Sequence, residues 1–192
     1  ALVIALGLGL TLFVTRAAIQ TSITTEIQNS VPERAPSFFA LDIPRERTAE
    51  FSAMVRKEAP GAEINLIPSL RGTIVEFGGQ RVDQLDELPE GAWVLNGDRG
   101  LTYSPQVPKG SEVIAGEWWA ADYKGPALVS LDMRVAESLS VGVGDSLTVS
   151  VLGVEIPTKI ASLREVKWEN FGLNYALVFS PGTFDAAPHS MV

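Results

Sequence analysis

The stretch ALVSLDMRVAESLSVGVGDSLTVSV, residues 127–151, decides the fold. Ala127–Leu131 is the apolar run of a buried strand. Asp132 stands where an N-cap would satisfy the first amides of a helix, and Val135, Ala136 and Leu139 then share one helical face. Gly142-Val143-Gly144-Asp145 reads as a turn, since glycine takes backbone angles closed to branched residues. Leu147, Val149 and Val151 alternate with Ser146, Thr148 and Ser150, the period-two signature of a half-buried strand. Strand, short helix and strand in immediate succession indicate an α+β domain, and nothing in the stretch is catalytic.

Upstream, Ser37–Ile43 (SFFALDI) is apolar at most positions and reads as a central strand. Pro44 then opens a helix expected to bury Phe51, Met54, Val55 and Ala59, ended by Pro60-Gly61. Ile64, Leu66, Ile74 and Phe77 continue as extended structure, and Gly78-Gly79 is a hairpin signal returning through Gln80–Val82. Closely spaced turn signals follow, with short strands expected at Ala92–Asn96, Leu101–Tyr103 and Glu112–Ala115. Downstream, Val154–Leu163 is a strand that Pro157 confines to an edge or bulge. Asn174–Ser180 (NYALVFS) is a strand apolar on both faces, expected to rejoin the sheet begun by SFFALDI. There is no internal repeat. One helix on such a sheet leaves it half covered, which suggests a further layer beyond Val192.

The 192 residues could form one large domain or two small ones. Residues 1–14 contain only apolar residues, glycine and Thr11. With Arg16 set aside, 14 basic residues face 23 acidic ones. A body that acidic lacks the basic footprint for nucleic acid and would be repelled by anionic head groups. With no cysteine, disulfides, thiolate catalysis and cysteine-ligated zinc are excluded.

ALVIALGLGLTLFV falls short of the roughly 20 residues that cross a bilayer. It has no charged n-region or cleavage site of a signal peptide. A buried core helix is one reading. The other, favoured by Gly7 and Gly9, is the C-terminal part of a transmembrane helix, residues 1–16. Ile19, Ile23, Ile27 and Val31 then recur every four residues, so 17–32 reads as an amphipathic stalk ending at Asn29 and Pro32. Run together, the two would form a helix about 43 Å long.

The chemistry is sparse. The glycine-rich loops at 78–79, 97–100 and 142–145 match no phosphate-binding pattern, and no serine occupies Gly172-Leu173-Asn174-Tyr175-Ala176. The only histidine, His189, reads as an exposed loop residue. Asp83, Asp86, Glu87 and Glu90 read as a solvated face rather than a cation site. Trp118-Trp119 and Trp168 are the only site-like residues. Adjacent tryptophans on a strand point to opposite sides, so one can enter the core while the other lies near the surface; core or junction packing is the first reading, and a Trp anchoring a partner or lipid the second. No catalytic group, metal or cofactor is expected.

In order along the chain, ALGLGLTLFV, SFFALDIPRERTAEF, VIAGEWW, VSLDMRVAESLSVGVGDSLTV and IASLREVKWENFGLNYALVFSPG resemble the periplasmic domain of FtsX/MacB-type ABC transporter permeases. The nearest likeness is to the large permeases of predicted lysophospholipase-biosynthesis ABC systems. The resemblance implies a MacB-like periplasmic core. In it, a porter-like α+β subdomain (35–77 and 174–192) would be split by an inserted small β-rich subdomain (78–173). It further implies the second of two such domains, continued in the family by another strand–helix–strand and further transmembrane helices. It also implies a bacterial inner-membrane protein with its body in the periplasm. The partners implied are a cytoplasmic ABC ATPase, the lipid bilayer, and a periplasmic partner or hydrophobic substrate. Its function would be to couple ATP hydrolysis to export or extraction of a lipid-like substrate, or to mechanotransmission, with no catalytic residue in the domain. A membrane-anchored periplasmic binding or scaffold domain without an ATPase is the alternative, and a membrane-tethered hydrolase is disfavoured by the residue inventory.

Overall fold

The computed structural model describes residues 2–30, 38–168 and 172–192. Contacts divide the chain into two units. One holds the N-terminal helix with Trp168 and Gly172, and the other holds residues 38–167 and 173–192.

Helix α1, Leu2–Ser30, is continuous through the expected membrane and stalk segments. Thr11 Oγ1 donates to Gly7 O at 2.8 Å and Thr21 Oγ1 to Ala17 O at 2.9 Å. Residues 9–24 are exposed, including Ile19 and Ile23 of the expected stripe. Among the described residues no helix is long and apolar enough to cross a membrane. Val31 and Pro32, expected at the stalk's end, lie outside the described residues.

The second unit is built on a closed barrel. Its strands are β2 (Pro68–Phe77), β4 (Arg99–Tyr103), β9 (Leu177–Phe179), β6 (Leu128–Asp132), β8 (Val154–Val166) and β7 (Ser146–Val151). Each pairs with the next in that order, and β7 returns to β2. The pairs β4–β9 and β6–β8 are parallel and the others antiparallel. Closure depends on the stagger within β2, which pairs with β4 through Leu70–Gly72 and with β7 through Thr73–Phe77. Gly72 marks the changeover. A Cβ there would lie 2.6 Å from Ser150 O and 2.9 Å from Leu101 Cδ1.

Four shorter strands extend the barrel. β3 (Gln80–Arg81) returns onto β2 through the expected Gly78-Gly79 turn, and β5 (Ser111–Gly116) pairs with β8. β10 (Ser190–Met191) joins β2 and carries β1 (Ile43–Pro44) beyond it. Strand pairing thus runs across the expected boundaries at 77/78 and 173/174, because β2 pairs with β4 and β7 while β9 pairs with β4 and β6.

The deciding stretch folds as read. Helix α3, Met133–Leu139, is capped by Asp132, whose Oδ1 accepts from Arg134 N at 2.8 Å. Val135, Ala136 and Leu139 are buried. Ser140 closes the helix in left-handed backbone, φ 54. Pro157 sits where β8 pairs with β7 alone, so its missing N–H disrupts no second ladder. The barrel core includes Val129, Leu131, Leu147, Val149 and Leu177–Phe179. β9 is buried on both faces, with Phe184 edge-on against Phe179 at 4.8 Å.

Four expectations need correction. SFFALDI is not a central strand: only Ile43 and Pro44 pair, Phe38 is 93% exposed, and Asp42 at φ 57 breaks the extended run. Ile64 and Leu66 also precede the strand, which begins at Pro68. Helix α2, Thr48–Glu58, half-buries Phe51 and Val55 but leaves Met54 and Ala59 exposed, since among the described elements it packs chiefly on β1 and the 3-10 turn Arg45–Arg47. Finally, Trp93–Leu95 forms a 3-10 turn where a strand was expected over 92–96. Arg99 stabilises it by donating to the carbonyls of Trp93, Val94 and Asn96, acceptors that a strand would present to a neighbour.

Gly72→Ala is expected to lower stability by about 1–3 kcal/mol, because the barrel must open to admit the methyl group. Ser140→Gly should raise stability by up to about 1 kcal/mol by removing a left-handed non-glycine residue. Denaturant midpoints of the two variants check both signs.

Candidate functional site

The tryptophan pair is positioned by the end of β5. Gly116, at φ 73, turns the chain where a Cβ would lie 2.2 Å from Ala161 O. Residues 117–120 are therefore not a strand, and the expected division of Trp118 and Trp119 onto opposite faces does not occur. Their rings stack at 4.1 Å between centroids, inclined by 32°. Trp119 Nε1 donates to Ser104 O at 2.8 Å and Trp118 Nε1 to Pro105 O at 3.2 Å. Trp119 is buried and Trp118 half-buried. Both indoles are thus fastened to the loop that leaves β4, and only part of Trp118 meets solvent. Trp168 is half-buried and belongs to the unit of α1, while Glu169–Phe171 beside it lie outside the described residues.

The largest polar construction is a buried network around Arg164. Its Nε donates to Ser130 Oγ at 3.0 Å and its Nη1 to Ser111 Oγ at 2.9 Å. Nη2 meets the carbonyls of Tyr175, Ala176 and Ser130 at 3.1, 3.3 and 3.4 Å. Ser162 Oγ completes the cluster by donating to Ser130 Oγ at 2.8 Å. Burial pushes the guanidinium down to about 10, opposed by the nearby Asp132 carboxylate, so the group remains charged at neutral pH. The signal available for this network was an arginine in IASLREV, one residue past the expected end of the Val154–Leu163 strand, which in fact runs on to Val166.

His189 is half-buried and edge-on to Tyr103, ring centroids 5.5 Å apart, rather than an exposed loop residue. Its Nδ1 lies 2.9 Å from Ala187 O, a pure acceptor, so the neutral ring carries its proton there. Nε2 then accepts from Tyr103 Oη at 3.0 Å. Burial raises the Tyr103 pKa, with Arg45 opposing and Asp185 adding to the rise. No nucleophile joins the pair by a described hydrogen bond, and its geometry fastens the β10 segment to β4. Of the acidic group, Asp83 pairs with Arg81 at 3.1 Å, and Asp86, Glu87 and Glu90 are exposed. Among the described residues no cluster of His, Asp or Glu could hold a metal ion.

The described polar groups therefore lock segments together. Trp119→Ala is expected to cost about 3–5 kcal/mol and Trp118→Ala clearly less. Equal losses in thermal or denaturant unfolding would refute the division into a buried and a surface ring. Arg164→Ala should cost about 3–5 kcal/mol, since it leaves several buried carbonyls and serine hydroxyls without the donors of the guanidinium.

No protein-family model matches the chain. It is 28% identical over 166 residues to the uncharacterized ABC transporter permease YbbP of Escherichia coli (strain K12), an alignment covering 85% of this chain. The chain spans 19% of that relative's length. The similarity is thus to one part of an ABC transporter permease and extends over most of this chain.

Proposed function

We propose that the chain is the extracytoplasmic domain of an FtsX/MacB-type ABC transporter permease subunit, carried by a membrane-inserted helix. The observation that carries this reading is the similarity to an ABC permease across 85% of the chain. The physical character of α1 agrees with it. A helix apolar on every side through residues 2–14 has no stable place in water, and Thr11 turns its hydroxyl back onto the helix, as lipid demands. Residues 17–30 continue the same helix with polar residues between the isoleucines, the composition of a stalk outside the bilayer.

The partner in this reading is a cytoplasmic ATPase on a separate chain. ATP-driven closure of that subunit displaces the membrane helices, and the stalk carries the motion to a body in the periplasm. The barrel suits this role because a closed sheet with a buried charged network moves as one piece. Phe38, Phe39, Leu41 and Met54 are exposed around β1 and α2, and in a porter-like subdomain they are the surface on which a further layer packs. The cargo, in this reading, is hydrophobic or lipid-like, or the motion itself is the signal.

Affinity purification of the full-length protein from mild detergent tests the proposal. An ATP-binding subunit is expected to co-purify, with ATP hydrolysis retained when Trp118 is replaced by alanine. Repeated recovery without such a subunit would favour an anchored periplasmic scaffold.

A further inference from the structure

The sequence contains one Asn-Gly step, Asn96-Gly97, and it lies between the 3-10 turn Trp93–Leu95 and β4. Both residues are exposed. In such a step the main-chain nitrogen that follows asparagine can attack the asparagine's own side-chain amide. A glycine there has no side chain to crowd that nitrogen. The reaction needs the two groups face to face.

Here they stand back to back. At ψ 78, Asn96 holds the Gly97 nitrogen on the far side of the Cα–C bond from its own Cβ. Attack requires that nitrogen to swing nearly half a turn, and the swing is blocked at both ends of one peptide unit. Asn96 O accepts from Arg99 Nη2 at 2.6 Å, and Gly97 N donates to Leu95 O at 3.1 Å. The unit is planar and stiff, so holding its oxygen also holds its nitrogen. Arg99 is anchored in turn. Its guanidinium donates to the carbonyls of Trp93 and Val94 and lies 5.1 Å over the Trp93 ring, while its backbone pairs with Gly72 of β2.

We propose that Asn96-Gly97 is a latent self-modification site, kept unreactive by the Arg99 fork and modified when that fork lets go. Gly97 N gives its proton to a solvent base and bonds to Asn96 Cγ. The Cγ–Nδ2 bond breaks, and the amide nitrogen takes a proton from water and leaves as ammonia. Water then opens the five-membered imide. Opening at Cγ leaves an ordinary aspartate, and opening at the main-chain carbonyl carbon leaves a β-linked one with an extra methylene in the backbone. Water is the only other reactant. Either product adds a negative charge next to Asp98. The β-linked product also displaces the carbonyl that Arg99 holds, so an opened turn is recorded permanently. The inference stands whether or not the protein is a permease.

Full-length protein incubated at mildly alkaline pH tests this, with peptide mass spectrometry at Asn96 and methyltransferase labelling of β-linked aspartate. The native wild type should modify Asn96 roughly tenfold to a hundredfold more slowly than the same chain in denaturant, the span set by losing a charge-assisted hydrogen bond. Arg99→Lys keeps the charge but not the fork, and should bring the native rate most of the way to that of the denatured chain. Trp93→Ala removes only the ring beneath the guanidinium and should give a smaller increase. It decides the matter if Arg99→Lys does not fold. Circular dichroism of each variant separates release of the turn from global unfolding. Equal rates in native and denatured wild type, no modification of Asn96 in the denatured chain, or folded variants as slow as wild type would each overturn the proposal.

Discussion

A single buried cation holds this domain in register. Arg164 lies on β8 with its guanidinium out of water, and burying a charge is tolerable only when its donors are all used. Here they reach Ser111 on β5, Ser130 on β6 and the carbonyls that lead into β9. Four segments distant in sequence are thereby fixed to one planar group. A slip by one residue in any of them would leave part of the fork unsatisfied, so the network specifies the strand alignment as much as it stabilises it. The serines flanking it are small enough to let the strands close over the guanidinium.

Barrel closure is the second constraint, and it makes the domain stiff unevenly. β2 and β8 are long because each must serve different neighbours along its length. Closure leaves few free edges, and the accessory strands β3, β5 and β10 lie outside it. The layer of β1 and α2, by contrast, is tied to the rest through two-residue pairings on β10 and by His189 against Tyr103. It buries little apolar surface. The molecule thus joins a rigid core to a thinly packed flank whose apolar side chains are offered outward.

The polar groups that might have done chemistry are spent on architecture: the histidine fastens a strand, the arginine aligns four segments, and the tryptophans seal the end of β4. The apolar helix α1 stands apart from the barrel, in a unit of its own.

The sequence alone determined the local elements whose signals are local. The Asp132 cap, the 133–139 helix, the glycine turn at 78–79, the 146–151 strand and the constraint on Pro157 all depend on residues a few positions apart. Only the tertiary structure decided what each element packs against. SFFALDI is as apolar as a central strand, yet only Ile43 pairs, and Phe38, Phe39 and Leu41 stay exposed. Trp118 and Trp119 alternate as a strand would, but Gly116 ends β5 before them and they stack together. Arg164 lies just past the strand expected over 154–163, and its role required distant segments to converge. Propensity and capping act over one or two turns of chain, whereas burial, barrel closure and the satisfaction of a buried charge depend on neighbours that sequence proximity does not supply.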